Sequence, residues 1–409
     1  MSGVKRKITE ISVYEFYMCM FVITIHLLSD GVDNFARWSA ESVIFSSLTR
    51  IISFAVPGFI FTSAIKLFYK YSDRKFSYPK FLFDRFLKVY IPYVIAVCIY
   101  YLVYVFVLTL DEYPSFNWTQ LGGYIWSGNI SAQFYFVILI VQFYLLMPIW
   151  RLLSKLKSVP SLAVVIAAAL ALTILSRMYF PQAAAAILEQ FGKIEIPNIK
   201  LFSSFTLSNP LSGYSAGIEQ VQALAAYTNK SFSSYLVFWI CGMYIGLNYD
   251  AFSEKIKSGK IVIYIGWLVF AVAHCVLSYL RFCGVIRYTF EPTIVVLFCI
   301  FSIFGFLIYI DRVTFNLESR GKGFLTSIAG ASYEIYLIHC LVIMVVTYYL
   351  KQADIDSTMT RFWITAVITY TFSIIFCVLE STLYMNLKLK YRRRSAANAR
   401  KSARRKRYL

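Results

Sequence analysis

The fold is decided by an uncharged apolar run at residues 292–310, PTIVVLFCIFSIFGFLIYI. At about 1.5 Å per helical residue, this run is long enough to cross the roughly 30 Å hydrocarbon core of a bilayer. In both directions from it, nine further runs of similar character follow along the chain. The sequence therefore predicts an all-α, polytopic membrane protein with about ten transmembrane helices.

The predicted spans cover most of the chain. They lie at residues 11–29, 43–66, 90–110, 132–150, 161–176, 232–248, 261–280, 292–310, 326–350 and 362–385. The fifth run is short and rich in alanine. We interpret residues 1–386 as one transmembrane domain. Residues 387–409 form a basic tail, which we expect to be disordered or attracted to anionic lipids.

The composition excludes some other classes of protein. Hydrophobic residues make up 59% of the chain, and charged residues make up 15%. The net charge is +19, but the basic residues lie in short segments beside the apolar runs. We therefore expect no nucleic-acid partner. The eight cysteines show neither metal-ligand nor disulfide spacing, so we expect small buried residues and no metal.

The basic residues also predict the orientation of the spans. If the N-terminus is inside and the spans alternate, 30 of the 40 lysines and arginines lie on the inner side and nine on the outer side. Arg50 is left within a span. Because cytoplasmic loops are enriched in lysine and arginine, the bias supports an even number of spans with both termini cytoplasmic.

Two predicted outer segments stand out. Residues 111–131 contain Trp118 and Trp126, which suit a position at the membrane interface. Residues 177–231 are too long for a simple turn and include a helix-like patch at residues 183–190. This segment either covers an outward-facing site or is a plain loop.

Ionisable side chains within the spans are candidates for function, because burying them in lipid is costly. His26 lies near the outer end of the first span, and Asp30 follows four residues later. If the helix continues, the carboxylate shares a face with the imidazole and can orient it as a general base. The alternative is an interfacial histidine without a chemical role.

Two further groups of the first two spans have different surroundings. Glu15 precedes His26 by about 16 Å along the helix, so we expect it to contact cations of the second inner segment. Arg50 lies inside the second span, where an arginine needs a counter-charge or a polar cavity. It either binds an anionic substrate group or pairs with Asp30 or Asp33.

The third and ninth spans carry polar groups at helical spacing. Arg85 and Lys88 flank the inner start of the third span and share one side, where they either bind a phosphate-bearing donor or anchor the helix. Ser332, Tyr336 and His339 form a polar stripe, which makes either helix-packing hydrogen bonds or substrate contacts. We interpret His274 as structural.

Five segments in this order resemble the acyltransferase 3 family of bacterial membrane proteins. The resemblance rests on the histidine of the first helix, on RIISFAVPGFIFTSA at residues 50–64, on Arg85-x-x-Lys88 before Ile91-Pro92-Tyr93, on Phe134-Tyr135-Phe136 with QFYLLMP at residues 142–148, and on Ser332-Tyr333-x-Ile335-Tyr336-Leu337-x-His339. The closest resemblance is to the poly-N-acetylglucosamine export or succinylation proteins of Gram-positive biofilm loci.

The resemblance implies a reaction in the bacterial cell membrane. Family members move an acyl group, commonly acetyl, from cytosolic acyl-CoA to a hydroxyl of an envelope glycan. It implies that His26 is catalytic, that Arg85 and Lys88 lie on the donor side, and that Tyr135, Gln142, Tyr336 and His339 lie near substrate. Glu15 stands where the family often has a basic residue, and a charge pair with Arg85 or Lys88 would compensate for this.

Two other functions fit the sequence. The chain can be an exporter of a surface polysaccharide or a lipid-linked glycan, although no inverted repeat is visible. It can also be a structural subunit of an envelope assembly, for which the basic tail is the best support. For the acyltransferase, we expect acyl-CoA as donor, an envelope glycan as acceptor and no metal cofactor.

Overall fold

The structure is a computed structural model that describes residues 8–71, 76–110, 113, 115–192, 199–202, 205–207, 230–286, 291–316, 330–376 and 379. For Asp30, Phe315, Asn316 and the described residues between 180 and 207, it describes the backbone alone. The basic tail lies outside the described residues.

Helices make up nearly all of the described chain. In chain order, α1 to α15 are Thr9–Asn34, Ala40–Ile51, Ala55–Tyr71, Tyr78–Arg85, Ile91–Phe106, Trp118–Ser127, Tyr135–Leu145, Met147–Leu153, Val159–Gly192, Leu236–Leu247, Tyr249–Ser258, Lys260–Phe282, Glu291–Asn316, Ser332–Gln352 and Thr358–Phe376. A π-helical turn at Phe86–Tyr90 joins α4 to α5, and 3-10 turns at Ala132–Phe134 and Phe232–Tyr235 precede α7 and α10. Strands β1 (Ile199–Phe202) and β2 (Phe205–Leu207) form an antiparallel hairpin.

Each of the ten predicted spans contains a helix. By length and composition, eight helical segments of the described chain are able to cross a membrane: Thr9–Asn34, Ala40–Tyr71, Tyr78–Phe106, Val159–Tyr179, Lys260–Phe282, Glu291–Thr314, Ser332–Gln352 and Thr358–Phe376. The fourth predicted span is a bent pair, Trp118–Ser127 with Ala132–Leu145, and the sixth is the shorter helix Phe232–Leu247. The prediction of an all-α, polytopic membrane protein is confirmed.

The directions of neighbouring helices decide whether these two less regular segments cross. A Cβ atom added to Gly242 of α10 would lie 2.3 Å from the Phe61 carbonyl oxygen of α3, and one added to Gly246 would lie 2.6 Å from that of Ile65. The contacts advance together along both helices, so α3 and α10 run parallel. The second and sixth spans are parallel only if an odd number of crossings separates them, so the bent pair crosses between the third and fifth spans.

The packing of the first span against the ninth indicates that the sixth span also crosses the membrane. Cys19 of α1 donates to the Ser332 carbonyl oxygen of α14 at 3.3 Å, and His26 lies beside His339. Because seven residues separate the contacts on each helix, α1 and α14 run parallel. An odd number of crossings must therefore lie between them, which requires the short sixth helix to cross as well. With these two segments, the helices of the described residues account for ten crossings.

Some predicted boundaries were wrong. The third helical segment begins at Tyr78 rather than at residue 90, and its π-helical turn lies just before Pro92. Proline has no N–H and its ring crowds the preceding turn, so a locally wider helix accommodates it. The helix of the fifth span continues through Arg177 to Gly192, where the sequence predicted a loop with a separate helical patch. Trp118 and Trp126 lie on α6 and are exposed, as an interfacial position requires.

The close approach of α10 to α3 predicts a sensitivity to small substitutions. Replacing Gly242 with Ala places a methyl group against the Phe61 carbonyl, and overpacking of this kind costs about 1–3 kcal/mol. We expect Gly242→Ala to lower the temperature of thermal unfolding in detergent. Gly123→Ala is the matched control, since a Cβ atom there meets nothing within 4 Å. Equal unfolding temperatures for the two variants would contradict the backbone contact.

Candidate active site

Two histidines that lie far apart in the sequence meet where α1 packs against α14. The ring centroids of His26 and His339 are 5.3 Å apart, and the Tyr336 ring lies 5.8 Å from that of His339. His339 is fully buried, and His26 is half-buried. The predicted polar stripe of the ninth span therefore faces the protein rather than lipid.

The hydrogen bonds of His339 define its tautomer. Its Nδ1 lies 3.2 Å from the Ile335 carbonyl oxygen, which accepts hydrogen bonds and has no proton to donate. The proton of a neutral ring is therefore on Nδ1, and Nε2 is an acceptor. The Cys340 sulfur lies 3.3 Å from Nε2, so the thiol donates to it. The sequence alone predicts only a small buried residue at Cys340.

A tyrosine hydroxyl interrupts the backbone hydrogen-bonding pattern of α14 beside His339 and Cys340. The Tyr100 hydroxyl accepts from Leu341 N–H at 2.8 Å and donates to the Leu337 carbonyl at 3.0 Å, two groups that bond each other in a regular α-helix. The Gln133 amide donates to the same hydroxyl at 2.7 Å. Tyr100 and Gln133 thus fix the turn that carries His339 and Cys340.

Three predicted substrate residues are engaged in hydrogen bonds within the protein. Gln142 donates to the Lys230 carbonyl at 2.6 Å and accepts from Phe232 N–H at 3.1 Å, so it satisfies the backbone at the start of the sixth span. The Tyr336 hydroxyl donates to the Gln133 carbonyl at 2.5 Å. Tyr135 lies beside Tyr235 and Arg177. Substrate contact by any of the three stays a prediction.

The predicted donor groups lie at the other end of α1. Glu15 forms an ion pair with Lys66 of α3, which confirms a partner from the second inner segment and replaces the hypothetical pair with Arg85 or Lys88. Arg85 lies between the Phe81 and Tyr144 rings, 5.5 and 5.6 Å from their centroids. Among the described residues, its buried Nε has no hydrogen-bond partner.

Lys88 differs from Arg85 in its local structure and exposure. It lies in the π-helical turn Phe86–Tyr90 and is exposed, whereas Arg85 is half-buried. The prediction of a common face assumed α-helical spacing, whereas a π-helix has more residues per turn, so the common face stays a prediction. Arg85 is therefore the better placed of the two cations for a buried phosphate.

One face of α1 connects Glu15 with the histidines. Glu15, Cys19, Val22 and His26 follow one another at helical spacing, and the stripe covers about 16 Å. Its contacts with α14 include Cys19 to Ser332 and His26 to His339. Helix α1 continues to Asn34, so Asp30 follows His26 by one turn as expected, although its side chain lies outside the description.

A second polar cluster surrounds Arg50. The charged neighbours of this half-buried guanidinium are Glu291 and Arg281, which form an ion pair with each other. Within the described chain, Arg50 Nε is buried without a hydrogen-bond partner. The alternative pair with Asp33 is not formed, since Asp33 is exposed at the end of α1.

His274 belongs to the same cluster, which was not predicted from the sequence. Its Nε2 lies 3.4 Å from Ser53 Oγ, and its Nδ1 lies 3.1 Å from Ser278 Oγ, which in turn donates to Glu291 at 3.2 Å. The signal was present in the sequence. His274, Ser278 and Arg281 have the same helical spacing that identified the stripe on the ninth span.

His26, His339 and Cys340 also meet a distance requirement for metal binding. Their potential ligand atoms all lie within 4.8 Å of one another. Imidazole and thiolate are ligands that suit zinc. The expectation of an enzyme without a metal stays a prediction, and metal analysis of the purified protein tests it.

These features define a polytopic membrane protein with a pair of histidines between its first and ninth spans. Residues 16–379 match the model of the acyltransferase 3 family, which is described as an acyltransferase domain. The chain belongs to this family, and it is a membrane acyltransferase. No curated protein and no solved structure matches it, so the closer resemblance to the biofilm branch stays a prediction.

The ion pair of Glu15 with Lys66 predicts compensating substitutions. Reversing one charge, in Glu15→Lys or Lys66→Glu, places like charges together, and we expect a cost of about 1–2 kcal/mol because the pair is only partly exposed. Side-chain exposure is 42% for Lys66 and 12% for Glu15. The double variant should recover most of the thermal stability. A double variant less stable than both single variants would contradict the pairing.

The Tyr100 hydroxyl predicts a separate effect on activity. Tyr100→Phe leaves buried partners unsatisfied, which costs about 1–3 kcal/mol, and releases the turn that carries His339. We expect lower thermal stability together with slower acyl transfer. Tyr93→Phe is the matched control on α5, because its hydroxyl bonds Tyr124 and Ile125 instead. Unchanged transfer per folded Tyr100→Phe molecule would contradict the positioning role.

Proposed function

We propose that the protein transfers an acyl group, acetyl or succinyl, from cytosolic acyl-CoA to a hydroxyl of an envelope glycan or exopolysaccharide. It would act in the cytoplasmic membrane of a bacterium, with both termini in the cytoplasm. The observation that carries the proposal is the contact of His26 with His339 in the core of an acyltransferase. Histidine is the side chain best suited to take up a proton near neutral pH.

The proposed reaction uses His26 as the general base. His26 accepts the proton of the acceptor hydroxyl, and the hydroxyl oxygen forms a bond to the carbonyl carbon of the acyl group. The bond from this carbon to sulfur breaks, and the sulfur leaves as a thiol after taking up a proton. Asp30, one turn further along α1, would orient the imidazole of His26.

Donor binding is proposed at the inner end of α1. Arg85 offers a buried guanidinium N–H that has no partner among the described residues, and arginine binds phosphate well. Lys88 is exposed nearby and would add positive charge for the nucleotide part of the donor. The long pantetheine arm would then follow the face of α1 that carries Glu15, Cys19 and His26.

Arg50 is proposed to bind an anionic group on the acceptor side. Contacts of Gly31 with Phe45 and of Phe21 with Phe54 show that α1 and the second span run antiparallel, and they place Arg50 at the level of His26. A succinyl group carries a carboxylate, whereas an acetyl group does not. The Arg50 guanidinium therefore favours a charged acyl group or a charged acceptor.

Removal of the proposed base is the direct test. Cells that lack the gene receive the wild type, His26→Ala or Ser29→Ala at equal membrane abundance. Acyl groups are released from surface glycans with mild base and identified by mass spectrometry. We expect His26→Ala to lose about 10²–10⁴-fold in transfer, since this is the usual contribution of a general base. Ser29→Ala is the control, because Ser29 is exposed on the next turn and should retain transfer.

The outcomes separate the enzyme from an exporter. Ester-linked acyl groups that are present with wild type and Ser29→Ala but absent with His26→Ala support the proposed function and identify the acyl group. Glycan acylation that is equal in the deletion, the wild type and the variant would overturn it. Loss of surface glycan in the deletion, with normal acylation of the remainder, would favour export.

A further inference from the structure

We propose that Cys340 accepts the acyl group from the acyl-CoA thioester and holds it as an S-acyl intermediate before transfer to the acceptor hydroxyl. The proposal rests on the proposed function for the donor and the acceptor. Nothing in the family match assigns a role to this cysteine.

The pair of Cys340 and His339 has the geometry of an activated nucleophile. The thiol donates to Nε2 of His339 at 3.3 Å, and the opposite ring nitrogen is held by the Ile335 carbonyl at 3.2 Å. A nucleophile, a base within hydrogen-bond reach and a third group that orients the base form the usual arrangement in covalent catalysis. Because Nδ1 keeps its proton, Nε2 is free to accept the proton of the thiol.

Two other cysteines, Cys19 and Cys275, donate to backbone carbonyl oxygens. Cys19 donates to the Ser332 carbonyl at 3.3 Å, and Cys275 donates to the Ser47 carbonyl at 3.7 Å. A carbonyl oxygen accepts a hydrogen bond without removing the proton, so it does not generate a thiolate. Cys340 differs because its partner is an imidazole.

Cys340 is also held where both half-reactions can reach it. Its sulfur and a ring nitrogen of each histidine lie within 4.8 Å of one another. Tyr100 bridges Leu337 and Leu341 on either side of the pair, so the backbone of this turn is fixed. An acyl group on Cys340 would therefore lie beside His26, the base proposed for the acceptor hydroxyl.

The first step is a thioester exchange. His339 Nε2 takes the proton of Cys340, and the sulfur forms a bond to the carbonyl carbon of acyl-CoA. The bond between this carbon and the sulfur of CoA breaks, and CoA leaves as a thiol with the proton from His339. One thioester replaces another, so the acyl group keeps its reactivity.

The second step transfers the acyl group to oxygen. His26 takes the proton of the acceptor hydroxyl, the oxygen bonds to the carbonyl carbon, and the bond to the Cys340 sulfur breaks. The proton passes from His26 to the Cys340 sulfur, which restores the thiol. Donor and acceptor then need not occupy the site together, which suits substrates that arrive from opposite ends of α1.

The test isolates the intermediate in the full-length protein. His26→Ala lacks the base of the second step, so it should accumulate the intermediate. Purified His26→Ala is incubated with carbon-14-labelled acetyl-CoA and, separately, succinyl-CoA. We expect label on the peptide that contains Cys340, removed by neutral hydroxylamine as a thioester is. The double variant His26→Ala with Cys340→Ala should carry no label there.

Variants of Cys340 are also tested for glycan acylation in cells. We expect Cys340→Ala and Cys340→Ser to lose glycan acylation in cells. Cys98→Ala should retain it as the matched control, because Cys98 is a half-buried free cysteine of α5 outside the proposed site. Thermal unfolding measurements check that each variant is folded. Serine has nearly the shape of cysteine and can still donate a hydrogen bond to His339, but its hydroxyl is a weaker nucleophile than a thiol. Absence of label on Cys340 in His26→Ala, or full acylation by folded Cys340→Ala, would overturn the proposal.

Other outcomes separate this proposal from the function on which it rests. If the wild type acylates glycans and Cys340→Ala does so equally, the thiol intermediate is wrong and the acyltransferase stands. If the wild type acylates no glycan although Cys340 takes up label, the proposed acceptor is wrong. A stoichiometric metal held by His26, His339 and Cys340 in active protein would overturn the thiol intermediate, because the sulfur would be a ligand.

Discussion

The parallel contact between α1 and α14 is the constraint on which the rest of the structure depends. It brings together two histidines from opposite ends of the chain, and it does so only because an odd number of crossings separates the two helices. Polar atoms along this contact find partners inside the protein, as when Cys19 donates to Ser332 and Cys340 donates to His339. In a membrane, where no water satisfies such groups, these contacts also hold the two helices together.

The ends of α1 have opposite electrostatic surroundings. Near the N-terminal end of α1, Glu15 pairs with Lys66, and Arg85 lies between the Phe81 and Tyr144 rings. Further along α1, His26 lies beside the neutral ring of His339, while Arg50, Arg281 and Glu291 form a charged cluster on neighbouring helices. Binding a charged donor and removing a proton from a neutral hydroxyl are different tasks, and one helix presents a suitable environment for each.

The sequence predicted the features that depend on local composition. The ten spans follow from apolar runs, and the catalytic candidate His26 follows from the cost of a polar group in lipid. Features that depend on tertiary contacts were missed. The entry of the Tyr100 hydroxyl into α14 leaves no pattern in the sequence, and the π-helical turn that separates Arg85 from Lys88 changes a spacing that looked regular. Gln142 was assigned to substrate because its role in satisfying the backbone at Phe232 involves a residue 90 positions away.

Close packing at Gly242 and Gly246 explains how the short sixth helix, α10, is fixed in the bundle. Their lack of side chains lets the backbone of α10 touch that of α3, where close packing replaces the hydrophobic driving force that is absent between helices in lipid. Gln142 then satisfies the N–H group of Phe232 at the start of this segment, which would otherwise be exposed to hydrocarbon. The α3–α10 pair fixes the second span, whose C-terminal end supplies Lys66 to Glu15 and whose N-terminal half supplies Arg50. The packing of a helix that carries no catalytic candidate therefore sets the positions of charged groups at both ends of the site.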